Sequence, residues 1–179
     1  MDVGCWHPIK FSNTWLLYCR GWRGINIDLG ETKIKSFNLA RRDDINIVAA
    51  VSDSERDVTV EADKDFSVGE QILPADQQAA NGSHRQRTMR TRTLTEIIGR
   101  TKYKNRKIDL LTIDAKGHDL HVLKGLDFDI YEPKIILVES FLQTVEDVLE
   151  SETNALLLKQ GYHLFNWVGL TLFYKKDGG

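Results

Sequence analysis

The stretch Ile108-Asp109-Leu110-Leu111-Thr112-Ile113-Asp114-Ala115-Lys116-Gly117-His118-Asp119-Leu120-His121-Val122-Leu123-Lys124-Gly125 decides how the chain is read. Ile108 to Ile113 is a run suited to a buried strand, and it stops at Asp114. His118 to Leu126 then reads as a helical turn or two. The same order, strand then carboxylate then helix, recurs on either side. Downstream, Lys134 to Val138 is a second buried strand ending at Glu139. Thr144 to Gln160 is one long amphipathic helix closed by Gly161. Tyr162 to Asn166 and Leu170 to Tyr174, separated by Trp167-Val168-Gly169, form an antiparallel hairpin. Upstream, Asp2-Val3-Gly4-Cys5-Trp6-His7-Pro8 is the end of a strand entering a glycine turn, a first strand truncated at Met1. Ser12-Asn13-Thr14 supplies capping residues for a helix through Trp15, Leu16, Leu17 and Tyr18, ended by Gly21. Gly24 to Asp28 is a short strand of alternating apolar residues. Glu31 to Arg41 is a helix turning Ile34, Phe37 and Leu39 to the core. Ile45 to Val51 is a third strand, closed by Ser52-Asp53.

Strands alternating with helices imply an α/β fold whose sheet is mostly parallel, with the C-terminal antiparallel hairpin at one edge. Ligands of such sheets bind beyond the carboxyl ends of the strands, near the point where strand order reverses. Asp2, Asp28, Asp53, Asp114 and Glu139 each lie at or just past a strand end. A single acid there is an ordinary helix cap; five along one rim indicate a site. Gly4 permits a tight turn and lets a ligand approach the backbone. Asp28, 24 residues later, suits a carboxylate that accepts hydrogen bonds from ribose hydroxyls. The loop has one glycine rather than Gly-x-Gly-x-x-Gly, which favours a nucleoside cofactor without phosphates.

The chain has 179 residues, 41% of them hydrophobic and 28% charged, and a formal charge of −2. That length fits a single domain spanning 1–179. The composition excludes a disordered chain, and the charge argues against one built to coat nucleic acid. Cys5 and Cys19 cannot make a disulfide framework, which predicts a reducing, cytoplasmic setting. No uncharged run reaches the ~20 residues of a membrane span. Asp2 follows Met1 with no apolar region behind it, so no signal peptide is expected. Residues 54–92 read as a variable charged insertion. Residues 54–76 carry a net charge of −5 and residues 81–107 one of +8. Within this middle, Val58-Thr59-Val60 is a strand, Gln77 to Arg87 a loop, and Leu94 to Lys102 a short helix. The basic run Arg85 to Arg92 either holds an acidic acceptor or pairs with the acidic segment before it.

Three segments taken together, Asp2 to Pro8 with Ser12 to Thr14, Gly21 to Asp28, and Ile108 to Gly125, resemble the FkbM family of S-adenosylmethionine-dependent methyltransferases. Ala50 to Asp53 and Thr93 to Ile98 match as well. The resemblance implies a Rossmann-like class I methyltransferase sheet and O-methylation of a saccharide or small-metabolite hydroxyl. Carried over by position, Asp2 and Gly4 would form the cofactor loop with Cys5, Trp6, Asn13 and Leu29 around it. Asp28 would bind the ribose, Ser52 and Asp53 would lie near the adenine, and Asp114 would stand beside the reacting methyl group. The chain departs from the family where Lys116 and Asp119 replace the usual Glu.

Methyl transfer needs an aligned oxygen nucleophile and a group to take its proton. His118, four residues past Asp114, is the candidate base, since histidine titrates near neutral pH. His7 is a rival. Asp114 and Glu139 also offer oxygen ligands of the kind magnesium prefers. Expected partners are a small-molecule or saccharide acceptor, with no nucleic acid and no membrane. The shortened first strand leaves an edge open to homo-oligomerisation. Two other functions compete. One is a degenerate, non-catalytic Rossmann-like binding domain, suggested by Lys116 and the short first strand. The other is an RNA methyltransferase using residues 81–107, against which stands the lack of stacking aromatics there other than Tyr103.

Overall fold

The computed structural model describes residues 1–62, 71–73 and 85–176. The first half runs β1 (Asp2–Val3), α1 (Trp15–Cys19), β2 (Ile25–Asp28), α2 (Glu31–Ala40), β3 (Ile45–Val48) and β4 (Ala50–Val51). The middle adds β5 (Asp57–Ala62), β6 (Gln71–Ile72), β7 (Arg85–Arg92) and α3 (Leu94–Gly99). The second half runs β8 (Leu110–Ile113), α4 (Asp119–Lys124), β9 (Ile135–Glu139), α5 (Val145–Glu150), α6 (Glu152–Lys159), β10 (Tyr162–Val168) and β11 (Thr171–Lys176).

Seven strands form the main sheet in the order β10-β11-β9-β8-β1-β2-β3. The pairings from β9 through β3 are parallel, and β11 lies antiparallel to both β9 and β10. The sheet is therefore mostly parallel, with the hairpin at one edge as its sequence indicates. Strand order reverses between β1 and β8. From β1 the chain steps outward to β2 and β3, then returns to β8 on the other side and continues to β9.

Successive side chains on a strand point to opposite faces, and in the central strands the two faces differ in chemistry. Val3 is in register with Ile27 and Ile113, and Ile27 with Ile47. This apolar face packs with Leu94, Ile97 and Ile98 of α3 and Val122 and Leu123 of α4 in one core. On the other face Asp2 is in register with Asn26 and Thr112, and Asn26 with Asn46. Asp2, Asn26 and Thr112 are all buried, so their polar atoms need partners. Thr14 donates to Asp2 at 2.7 Å, Asn13 to Thr112 at 3.1 Å, and Asn26 to Asp44 at 3.1 Å. The buried Arg41 ties these together through Thr14 (2.9 Å) and Asp44 (3.0 Å). Thr14, placed as a cap by the sequence, thus makes no capping bond at α1; its hydroxyl serves this network instead.

Four sequence expectations are corrected. Ile45 to Val51 is not one strand: the main sheet ends at Val48, and Ala50–Val51 pairs in parallel with Thr91–Arg92 of β7 in a second sheet, β4-β7-β5-β6. Apart from Asn46 the residues are apolar on both sides of the break, with β3 half-buried and β4 buried, so composition does not mark the change of partner. Leu39 is 74% exposed; the buried stripe of α2 is Lys33, Ile34 and Phe37, and Leu39 lies about 200° around the helix from Phe37. Thr144 to Gln160 is two helices, because Ser151 is extended (φ −68°, ψ 149°) and its hydroxyl caps α6 by accepting from the Asn154 amide at 3.1 Å. Of the loop expected over 77–87, residues 77–84 lie outside the described residues, and Arg85 to Arg87 belong to β7.

Among the described residues no helix is long and apolar enough to cross a membrane. In the second sheet β5 and β7 lie antiparallel. This brings Arg90 within 3.0 Å of Glu55 and 4.0 Å of Asp57. That much of the basic run pairs with the acidic segment preceding it.

Candidate active site

A cleft of about 370 Å³ opens at the carboxyl ends of β1, β2 and β8, where strand order reverses. Parallel strands feed their following loops to this rim, which is why carboxylates distant in sequence meet there. Asp2, Gly4, Asp28 and Asp114 all line it. So do Cys5, Trp6, Asn13, Leu29 and His118. Ser52, Asp53 and Glu139 are outside its wall. A second cavity, about 100 Å³, lies at the opposite ends of the strands among Tyr18, Trp22 and Tyr103, and holds none of the predicted site residues.

Gly4 (φ +74°) is the hinge of the cleft. A side chain there would place its first carbon 1.8 Å from the Asp114 carbonyl oxygen, so the loop after β1 can lie against the loop after β8 only with glycine at this position. The Gly4 and Cys5 amides both donate to the Ile27 carbonyl, at 2.9 and 3.1 Å. The next residue, Trp6, takes the left-handed conformation (φ 47°), and its amide donates to Asp28 at 2.9 Å. Phe11, also left-handed and 91% exposed, packs 6.0 Å from the Trp6 ring at the cleft mouth. Burial, with Asp2 and Asp28 nearby, pushes the Cys5 thiol well above its usual range.

Asp28 is fixed from three sides. Besides Trp6, the Gly30 amide donates at 2.9 Å and the Lys33 ammonium lies at 3.0 Å, with both side chains of that ion pair almost wholly buried. Lys33 is a cleft residue that the sequence reading passed over. Its signal was a lysine on the stripe shared with Ile34 and Phe37, a place where a charge needs a partner.

On the other side of Gly4 the Lys116 ammonium sits between two carboxylates, 2.6 Å from Asp114 and 2.9 and 3.1 Å from the two oxygens of Glu139. Lys116 and Gly117 are consecutive left-handed residues (φ 51° and 86°), the turn that bends the lysine back over the rim. Burial and the adjoining Asp114 carboxyl push Glu139 up to about 7, against the pull of Lys116. Lys116 itself is raised: burial opposes its charge, but the two carboxylates outweigh it. The pair proposed from sequence as magnesium ligands is therefore already bridged by a cation of the chain. Among the described residues no three His, Cys, Asp or Glu side chains are grouped to hold a metal. The residues present do not fit a divalent ion at this place.

His118 lines the cleft, and its Nε2 lies 3.0 Å from the Ser52 hydroxyl. Its ring stacks on His121 at 4.6 Å, and His121 Nδ1 lies 2.9 Å from Asp53. Burial, then the neighbouring His121 and Arg56, lowers His118 to about 4, so its imidazole is neutral at pH 7. Against desolvation, hydrogen bonds from His121, Arg56 and Ser54 hold the Asp53 carboxyl well below the usual carboxylate range. Ser52 and Asp53 thus reach the cleft through the two histidines. The rival base, His7, accepts the Ile9 and Lys10 amides on Nδ1, at 3.1 and 3.0 Å, and serves its own loop.

With this geometry in place, comparison with known families is decisive. The sequence model of the methyltransferase FkbM domain matches residues 4–164. The chain belongs to the FkbM methyltransferase family. Searches against curated proteins and against solved structures returned no match. The matched span of this FkbM domain contains the Gly4 turn, the Asp28 cradle and the Asp114–Lys116–Glu139 cluster.

Proposed function

We propose that the protein methylates a hydroxyl of a saccharide or small metabolite, with S-adenosylmethionine as donor, on a Rossmann-like class I methyltransferase sheet. The observation that carries this reading is the convergence of Asp2, Gly4, Asp28 and Asp114 on one cleft at the reversal of strand order. The donor is a cationic nucleoside, and the wall suits one. Ala49, Val51, Ile72 and Val122 offer apolar surface for a base. Asp28, with about four lone-pair sites and three neighbours engaged, keeps about one for a ribose hydroxyl. The carboxylates of Asp2 and Asp114 face the cationic part. Bound there, the donor supplies a methyl carbon already activated by its sulfonium charge.

The chain's own task is alignment and proton removal. Asp114 lines the cleft with a half-open side chain and receives the acceptor hydroxyl; Lys116 fixes its orientation. Asp114 takes the hydroxyl proton as the oxygen is methylated, and Glu139, outside the wall but in contact with Asp114 and held near 7, is matched to accept it from Asp114 at neutral pH. His118 is a weaker base at about 4 and walls the cleft instead, linked to Ser52 and Asp53. Both cysteines are free, in keeping with a cytoplasmic setting. A crystal grown with S-adenosylhomocysteine tests the assignment. Ribose hydroxyls on Asp28 with the adenine against Val51 and Val122 are expected; an adenosyl group bound elsewhere overturns it.

A further inference from the structure

We infer that Lys116 is a built-in substitute for a divalent cation: it occupies the place on the rim between the Asp114 and Glu139 carboxylates and so excludes metal from it. Three observations carry this. The ammonium touches Asp114 at 2.6 Å and both oxygens of Glu139 at 2.9 and 3.1 Å, so one nitrogen satisfies both acids. The backbone is committed to delivering it there, because Lys116 holds a left-handed conformation that a side-chain-bearing residue adopts at a cost, immediately before a left-handed Gly117. The Glu139 side chain is only 10% exposed, so its charge requires a partner from within the molecule.

The place is shaped for a cation, and the chain has filled it. Magnesium binds through one or two carboxylates and completes its shell with water, and Asp114 and Glu139 supply two. A fixed ammonium between them repels an entering ion at contact distance and uses the lone pairs the ion would need. Lys116 is thus a positioning residue: it holds Asp114 and Glu139 in a defined relation on the acceptor side of the cleft without a dissociable ion. The inference is independent of the methyl-donor reading, because its test uses neither donor nor acceptor.

The experiment titrates manganese, a paramagnetic stand-in for magnesium, into the full chain and follows free ion by electron paramagnetic resonance. Wild type is expected to bind no stoichiometric manganese up to about 1 mM. Lys116→Gln and Lys116→Ala should each gain one site, at least about tenfold tighter than any wild-type uptake. Lys116→Gln combined with Glu139→Gln should lose it again. Lys116→Arg, which keeps the charge, should behave as wild type. Circular dichroism confirms that each variant retains its fold. Stoichiometric binding by wild type overturns the inference on its own, whether or not any variant folds. A folded Lys116→Gln that binds no better than wild type overturns it as well.

Discussion

Two lysines hold carboxylates on the two sides of Gly4, and they do so in opposite surroundings. Lys33 and Asp28 are 4% and 5% exposed, and Asp28 also takes two backbone amides. Lys116 and Asp114 are 25% and 42% exposed, and the lysine is shared with Glu139. The first cluster is buried, with three of the Asp28 contacts supplied by the chain; the second is open to solvent on the side where an acceptor would arrive. A rigid, pre-paired carboxylate suits binding of a constant group, whereas a half-open one can exchange partners during a reaction. In the proposed methyltransferase, β2 therefore holds the donor, and β8 with β9 meets the acceptor.

The comparison breaks most severely at its closed side. Asp28→Ala removes the buried carboxylate that faces the Lys33 ammonium and accepts the Trp6 and Gly30 amides. Urea unfolding should show a loss of about 3–5 kcal/mol; a loss below about 1 kcal/mol would mean that this side is not closed. Gly4→Ala forces a side chain into the Asp114 carbonyl at a left-handed position and should cost about 3 kcal/mol by the same measurement. Wild-type stability there would show that the two loops are not held in contact.

The open side is sharpened by pH. Glu139 is raised from 4.5 to about 7, so the folded state holds a proton that the unfolded chain has released. Stability from this group falls as pH rises from 4.5 to 7. His118 is lowered from 6.5 to about 4, so in that window the unfolded chain carries the extra proton. Its contribution rises with pH between 4 and 6.5. Glu139→Gln should therefore make stability increase more steeply with pH, and His118→Gln should make it increase less. Denaturation curves across pH 4 to 7 check both signs, and identical slopes in the two variants would contradict the assignment. The smallest effect is expected outside the cleft. Arg90→Ala removes exposed pairs with Glu55 and Asp57 and should leave Tm within about 2 °C; a larger shift in a thermal melt would give the second sheet an electrostatic role that its exposure denies.

The alternation of strands and helices, the terminal hairpin and the carboxylates at the rim are legible in the sequence because each follows from local period or from a residue at an element's end. What escaped depends on partners. Nothing local in Ile45 to Val51 tells that the strand changes sheets after Val48, and Ser151 looks like an interior helix residue until its hydroxyl is seen capping the next helix. The buried polar face was present as alternation in Ile25-Asn26-Ile27-Asp28, Ile45-Asn46-Ile47 and Leu111-Thr112-Ile113-Asp114. Its network through Arg41 and Asp44 could not be read, since it joins residues on different elements. Lys116 registers in sequence only as a departure from the family. Its role appears once the turn at Gly117 folds it between Asp114 and Glu139, the latter 23 residues from it along the chain.

The central claim is that the cleft beside Asp28 holds an adenosyl methyl donor. Isothermal titration calorimetry with S-adenosylhomocysteine tests it most directly, on wild type and on Asp28→Asn, which keeps the shape and removes the charge. One-to-one binding by wild type, weakened at least about tenfold in the variant, is the predicted result. No binding by wild type at millimolar ligand, or equal binding by both proteins, would contradict it.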